Sequence, residues 1–401
     1  MWSPDVHDVP SAALLISRMY AFYQRFDIPA GATLAGYRDR IHVPTVKAGT
    51  LEVHGIGGAG NGGWQICAID ALYAGVLVQR PDAGVAQRII AASHTHFAPM
   101  LDADKPALGN FSPELAALYQ GAFDRAPRED MAPDACTLFV GKVDIPVYRR
   151  FDFPASLLNR LLTRYCGLYP NDRQPVDRNV YVFSFTRAGQ KQFSIVYHAC
   201  HPVTRHDGSA VSPDYISAIR QAVQERWGAQ PCLFFLGCAG DIRPNLAQKR
   251  TSWLPRMRLN WKFRSGPSVA DQNAIDAQYK QAVAQAQPVT QFAMGPDDIR
   301  ISQHSLPVSG LDKVEYSRLD LGGQVSFSFL PFEVSHRYQL EVTASAPVQR
   351  RFIVSCAGTV HGYLPHVGQH RYGGYEVEGS RTLMGLGGPI SMESQDLWPS
   401  R

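Results

Sequence analysis

No run in the 401-residue sequence approaches the roughly 20 apolar residues that a helix needs to cross a bilayer. Charge imbalance is small as well. The 39 lysines and arginines set against 35 aspartates and glutamates leave +4, too little to point to nucleic acid. Seven cysteines, at positions 67, 136, 166, 200, 232, 238 and 356, include no Cys-x-x-Cys pair. Neither a thiolate zinc finger nor a disulfide framework is therefore indicated, and buried, reduced thiols are expected. Internal repeats, low-complexity tracts and the Gly-x-Ser-x-Gly elbow of serine hydrolases are missing too. Residues 1–20 place Asp5 and Asp8 ahead of a short apolar stretch at 12–16, without the basic start and long apolar run of a secretory signal. A cytoplasmic protein is expected.

What is present fits a soluble α/β enzyme. Short apolar runs at 87–92, 180–185, 192–198, 232–236 and 325–330 read as buried strands. Between them, Ser112-Pro113-Glu114 and Ser212-Pro213-Asp214 each offer a serine cap, a proline at the first helical position and an acid in the first turn. After the second, Ile216, Ile219, Val223 and Trp227 recur at helical spacing. Strands alternating with capped helices predict a mixed central sheet flanked by helices, in a single catalytic domain over residues 1–401. One segment, 246–290, interrupts this rhythm. Its first part, 246–267, sets Lys249, Arg250, Arg256, Arg258, Lys262 and Arg264 among Trp253, Trp261 and Phe263, and a helix follows over about 269–286. An insertion packed against the body, a substrate-facing lid and a single-strand nucleic-acid surface are all readings of it, the last disfavoured.

Gly55-Ile56-Gly57-Gly58-Ala59-Gly60 fits the dinucleotide-binding fingerprint letter by letter. That fingerprint works only when its glycines open a helix whose N-terminus receives the pyrophosphate. Here Asn61-Gly62-Gly63-Trp64 follows, a poor helix start, so a flexible loop is expected.

Five segments carry chemistry. A buried strand runs into Ser93-His94-Thr95-His96, and alternation would put both imidazoles on one face. A second strand ends in His198-Ala199-Cys200-His201. These histidines lie three apart, so one of the two should enter a site. The third, Gly237-Cys238-Ala239-Gly240-Asp241-Ile242-Arg243-Pro244-Asn245, is a tight loop bearing an acid. The fourth is Pro331-Phe332-Glu333 just past an apolar strand. The fifth joins Gly362-Tyr363 to Gly374-Tyr375-Glu376, with its two tyrosines twelve apart.

In this order, and with Asn159-Arg160 between the first two, these segments resemble the catalytic domain of the neutral/alkaline ceramidases and their shorter bacterial relatives. The Ile28-Pro29 and Leu34-Ala35-Gly36-Tyr37 stretches are similar to that family's opening motif. The resemblance spans about residues 27–380. It implies one zinc ion per chain held by His94, His201, Glu333 and Tyr363, with His96, Arg160 and Tyr375 as neighbouring catalytic groups. Zinc accepts imidazole and carboxylate and keeps a position open in catalytic sites. It polarises a carbonyl or activates water, while His96 exchanges a proton and Arg160 and Tyr375 donate to the developing oxyanion.

The departures bear on substrate. Arg243 stands where ceramidases carry serine, and it suits a carboxylate or phosphate better than a sphingoid base, unless Asp241 neutralises it. Asp241 and Arg243 are accordingly candidate substrate-binding residues. Phe97-Ala98 replaces the smaller residues usual after His-Thr-His, and the family's C-terminal immunoglobulin-like domain is not expected. The resulting expectation is a zinc amidohydrolase acting on a small N-acyl substrate other than ceramide, one carrying an anionic group. An esterase, an acyl-transferring or cyclising enzyme, and a non-catalytic binding protein of the same fold are the alternatives.

Overall fold

Short apolar runs become strands where both faces of a sheet must be buried, and this chain stacks two such sheets. The computed structural model describes residues 53–57, 64–69, 73–79, 86–96, 133–152, 166–205, 212–228, 231–249, 261–263, 267–295, 298–311, 313–345, 349–384, 386–388 and 390–398. Strands β1 (Val53–Gly57), β2 (Trp64–Ile69), β3 (Tyr73–Gln79) and β4 (Ala86–Ala92) form an antiparallel meander in that order. Next come β5 (Ala135–Lys142), β6 (Pro146–Asp152), β7 (Cys166–Asn171), β8 (Asn179–Arg187), β9 (Gln190–His198), helix α1 (Ile216–Trp227), β10 (Cys232–Leu236), β11 (Ile242–Pro244), β12 (Ala247–Lys249) and β13 (Trp261–Phe263). Helix α2 (Val269–Ala284), β14 (Gln287–Ala293), β15 (Ile299–Leu306), β16 (Val314–Leu321), β17 (Val325–Phe329), β18 (Glu333–Val334), helix α3 (His336–Ser345), β19 (Arg350–Val354) and β20 (Tyr363–Leu364) follow.

A five-stranded sheet runs β10-β9-β8-β5-β14, parallel between β9 and β10 and antiparallel elsewhere. A four-stranded sheet runs β15-β16-β17-β19, parallel between β17 and β19. Side chains alternate across each strand, so each sheet has two distinct faces. Phe183, Phe185, Phe193, Ile195 and Phe235 from the first sheet share one core with Leu319, Leu321, Phe327, Phe329 and Phe352 from the second. The other face of the first sheet (Val180, Val182, Val196, Phe234) is covered by α1 and α2 through Ile216, Ile219, Val223, Ile275 and Tyr279. The other face of the second, at Tyr316 and Ile353, is covered by Tyr338 and Val342 of α3. The expected α/β fold with mixed sheet is present, and its helices flank a stacked pair of sheets rather than one.

Three expectations change in detail. The strand core over 232–236 is as expected, but the glycines at 55 and 57 lie on β1, paired to Cys67 and Gln65, and not in a loop. Ser212 does not cap α1: the helix begins after Tyr215, because Asp214 takes a left-handed φ of 60° and turns its carboxylate back to Thr204. The 246–290 segment is not one inserted lid. Helix α2 buries Ile275, Tyr279, Ala282 and Val283 in the core, is capped by Ser268 and Asp271, and leads into β14, an edge strand of the main sheet. Among the described residues, its basic part contributes β12 and β13, an antiparallel pair. The cap expected at Ser112, the motifs at 28–37 and Arg250, Arg256, Arg258 and Arg264 lie outside the described residues. Among the described residues, no helix is long and apolar enough to cross a membrane. Among the described residues, the cysteines at 136, 166, 200, 232, 238 and 356 are buried and free.

Candidate metal centre and active site

The site gathers where β4, β9 and β10 end. Backbone bonds fix the exit of β4: Ala92 N donates to Cys356 O at 2.9 Å, and Ala91 bridges Ala357. Past this anchor His94 adopts a φ of 61°, in the left-handed region that a side chain enters only where its surroundings enforce it. Strand alternation therefore does not align the two imidazoles of His-Thr-His; this left-handed turn does. It brings His94 Nε2 to 3.4 Å from His96 Nε2. Thr95 pins the turn by donating to Ser212 O at 2.7 Å.

At the end of β9 the two histidines diverge. His198 turns toward the helical layer, with Nδ1 2.8 Å from Asn179 O and Nε2 3.0 Å from the Tyr279 hydroxyl. Burial pushes its pKa down to about 4. His201 turns into the site. Its Nδ1 lies 2.6 Å from Ala239 O and 3.0 Å from Ile242 O, so the N–H is on Nδ1 and the Nε2 lone pair faces outward. That Nε2 is 3.3 Å from Glu333 Oε2, and His94 Nε2 is 3.1 Å from the same oxygen.

Glu333 and Tyr363 are neighbours because β18 and β20 pair in parallel with these two residues in register. Glu333 N donates to Gly362 O at 2.8 Å. The loop after β10 presses against this pair. A Cβ at Gly240 would stand 2.7 Å from Glu333 O and 2.9 Å from Val334 O, so only glycine fits. Asp241 then anchors the turn from below. Its carboxylate accepts from Ser335 Oγ at 2.5 Å, His336 N at 2.8 Å and Gln369 Nε2 at 2.7 Å.

On the opposite side stand residues that the sequence did not single out. Arg149, 7% exposed, and the fully buried Arg150 share one carboxylate: Arg149 Nε donates to Glu376 Oε1 at 2.7 Å and Arg150 Nη1 to Oε2 at 2.5 Å. The Arg149 guanidinium lies 5.4 Å from the centre of the Tyr363 ring and 5.8 Å from that of Tyr375. The two tyrosine rings meet edge to face at 5.5 Å. Arg149 Nη2 makes no hydrogen bond. The twelve-residue spacing of the tyrosines thus places them in contact, at β20 and at the start of a π-helical turn, Tyr375–Gly379.

Electrostatics couple the centre. Burial opposes charge on His94, yet Glu333 and the Cys356 sulfur beside it hold its pKa well above the usual histidine value. Burial likewise opposes ionised Glu333, but His94 and His201 hold the carboxyl well below its ordinary range. His96 is pushed well below the histidine value, first by burial and then by His94 and His201. Burial and Glu333 raise the Tyr363 phenol well above its usual value, so it is a neutral hydroxyl beside the carboxylate.

Two observations suit a cation here. Nitrogens of His94, His96 and His201 lie within 4.8 Å of one another. Buried His201 Nε2 and Glu333 Oε2, only 3.3 Å apart, both lack a hydrogen bond. Imidazole, carboxylate and phenol are a donor set of the borderline kind. A cation among them would take the place of the proton that His94 carries against Glu333.

Of the expected residues, His94, His96, His201, Glu333, Tyr363 and Tyr375 converge on this centre. Asp241 sits beneath it, its carboxylate engaged by Ser335, His336 and Gln369. Arg243 lies on β11, where burial and the Arg149 charge push its pKa down to about 10. Asn159 and Arg160 fall outside the described residues. The signal for Arg149 was present, two consecutive arginines in an apolar stretch at 143–151, but its acid partner, Glu376, lies 227 positions away.

No family model and no curated protein matches the chain by sequence. Solved structures match its fold, two ceramidases among them. One is neutral ceramidase from Pseudomonas aeruginosa, 13% identical with a TM-score of 0.51, the match covering 84% of this chain and 70% of that one. The other, a ceramidase complexed with C2, is 12% identical with a TM-score of 0.52, over 84% and 72% of the two chains. This chain has a ceramidase-like α/β fold.

Proposed function

We propose that this protein is a zinc-dependent amidohydrolase that cleaves a linear N-acyl bond, with His94, His201, Glu333 and Tyr363 holding one zinc ion. The carrying observation is the convergence of His94 Nε2 and His201 Nε2 on one buried oxygen of Glu333, at 3.1 and 3.3 Å, with Tyr363 in register beside it. The likeness in fold to ceramidases supports the amide over other acyl bonds. Zinc bound there would supply Lewis acidity toward the acyl carbonyl and toward water.

The chain's own groups then have distinct tasks. His96, kept neutral by burial and by its two histidine neighbours, accepts a proton from the attacking water and returns it to the departing amine nitrogen. Tyr375 donates to the carbonyl oxygen as negative charge develops on it. The guanidinium task assigned to Arg160 by resemblance has a second candidate in Arg149, whose Nη2 makes no hydrogen bond. Asp241 orients the turn that follows Glu333, and the Ala239 and Ile242 carbonyls fix the tautomer of His201. His96 is the alternative fourth ligand, since its nitrogen belongs to the same close group.

Elemental analysis and substitution test this reading. About one zinc per chain is expected, and His94→Ala and His201→Ala should lose metal and activity on N-acyl substrates together. His96→Ala and Tyr375→Phe should keep the metal and lower turnover by about 10²-fold or more. Undiminished hydrolysis after metal removal would exclude the mechanism, and loss of metal from His96→Ala alone would exchange the roles of His96 and His94.

A further inference from the structure

Arg243 is placed by strand pairing. Strands β6 and β11 run antiparallel with Arg243 opposite Val147, and Arg149 N donates to Asp241 O at 2.9 Å. Opposed residues in such a pair share a face, and so do residues two apart on one strand. Arg243 and Arg149 are therefore diagonal neighbours on one face, a relation that brings residues within roughly 7–8 Å. Arg243 also directly follows Ile242, whose carbonyl accepts from His201 N at 3.2 Å. It stands next to a proposed zinc ligand and beside the guanidinium that faces Tyr363 and Tyr375.

Holding two guanidiniums together inside a protein is costly. Burial first, and then Arg149, weaken the hold of Arg243 on its proton, while Tyr363 and Cys200 act the other way. The carboxylate that serves Arg149, Glu376, is shared with Arg150, and Arg149 Nη2 remains without a hydrogen bond. Glu333 is engaged by His94 and His201. An oxyanion received between the two forks would relieve their mutual repulsion and form charge-assisted, bidentate bonds.

We infer that the site takes N-acyl substrates bearing an oxyanion, a carboxylate or a phosphate, within a few bonds of the scissile amide, and that Arg243 receives it next to Arg149. The inference rests on the amidohydrolase reading for its reaction but not for its binding event. The test uses zinc-supplemented protein and three probes that share one acyl chain: N-hexanoylglycine, its neutral isostere N-hexanoylglycinamide, and N-hexanoyl-aminomethylphosphonate. Binding is measured by calorimetry and hydrolysis by hexanoate release, for wild type, Arg243→Gln and Arg243→Lys.

Wild type should favour an anionic member over the neutral isostere by about 10-fold or more, the scale of a charge-assisted hydrogen bond. That ratio should fall toward one in Arg243→Gln and be kept in part by Arg243→Lys, which retains the charge but not the fork. The carboxylate and phosphonate arms decide which oxyanion fits. Equal binding of neutral and anionic probes by wild type overturns the inference, as does a preference that survives Arg243→Gln. If no probe is hydrolysed while the anionic preference in binding stands, the amidohydrolase reading fails and the oxyanion subsite remains. Because wild type alone can overturn the inference, it stays testable even if the glutamine variant misfolds.

Discussion

At the scale of single residues, the centre depends on side chains that never touch a reacting atom. Asp241 is buried and accepts from the Ser335 hydroxyl, the His336 N–H and the Gln369 amide. Each of these bonds holds the turn that follows Glu333. Replacing the carboxylate by an isosteric amide, Asp241→Asn, turns an NH2 group toward groups that are themselves donors. The turn should then lose its set position. Zinc affinity, measured by competition with a chromophoric chelator, should weaken about 10- to 100-fold, the range found for partners that orient metal ligands. A variant that melts earlier but binds zinc as tightly as wild type would reduce Asp241 to a support of the fold. The left-handed φ of 61° at His94 belongs to the same scale: the strain is carried by a residue whose ring must reach Glu333 and His96 at once.

At the scale of elements, β9 delivers two histidines with opposite tasks, and the three-residue spacing separates them. His201 leaves the strand for the site, while His198 stays on it, locked between Asn179 and Tyr279 of α2. His198 links the helical layer to acid stability. Its folded pKa, about 4, lies below the unfolded value near 6.5. Above both values neither state binds the proton and stability is complete. As pH falls through the window from about 6.5 to 4, the unfolded chain binds a proton that the folded chain refuses, so stability is lost, on the order of 3 kcal/mol by pH 4. Urea unfolding over this window should show the loss, and His198→Gln should make the slope shallower. An unchanged slope would mean that other groups dominate the acid limb. The same packing holds α2 against the sheet, where Tyr279 stacks on Tyr215 at 4.2 Å and bonds His198.

At the scale of the whole molecule, two sheets meet through aromatic rings. Phe327 stands 5.2 Å from Phe183, 5.5 Å from Phe235 and 5.4 Å from Phe352, ring centre to ring centre, with members of both sheets among its neighbours. Tyr197 adds a polar tie, its hydroxyl lying 3.1 Å from Gln339 Oε1 and 3.1 Å from Ile353 O. This interface sets the spacing between β9 and β10, which lead to His201 and Asp241, and β17, which leads to Glu333. Phe327→Ala should therefore cost about 3–5 kcal/mol in denaturant unfolding, lost transfer free energy together with the cavity left behind. A cost below about 1 kcal/mol would show that the site can relax without a shared core.

The sequence by itself determined the local rules. Short apolar runs located β4, β8, β9, β10 and β17 to within a few residues, because a strand buried on both faces leaves a near-continuous apolar stretch that no distant residue alters. It also marked His94, His96, His201, Glu333 and the two tyrosines, since each follows an apolar strand or a glycine turn. Only the tertiary structure decided how these meet. The left-handed turn at His94, the parallel pairing that sets Glu333 beside Tyr363, and the pairing of Arg149 and Arg150 with Glu376 are long-range events. So is the stacking of a second sheet where one was foreseen. None has a local sequence signal, because each is settled by which distant segment satisfies a buried polar group or covers an apolar face.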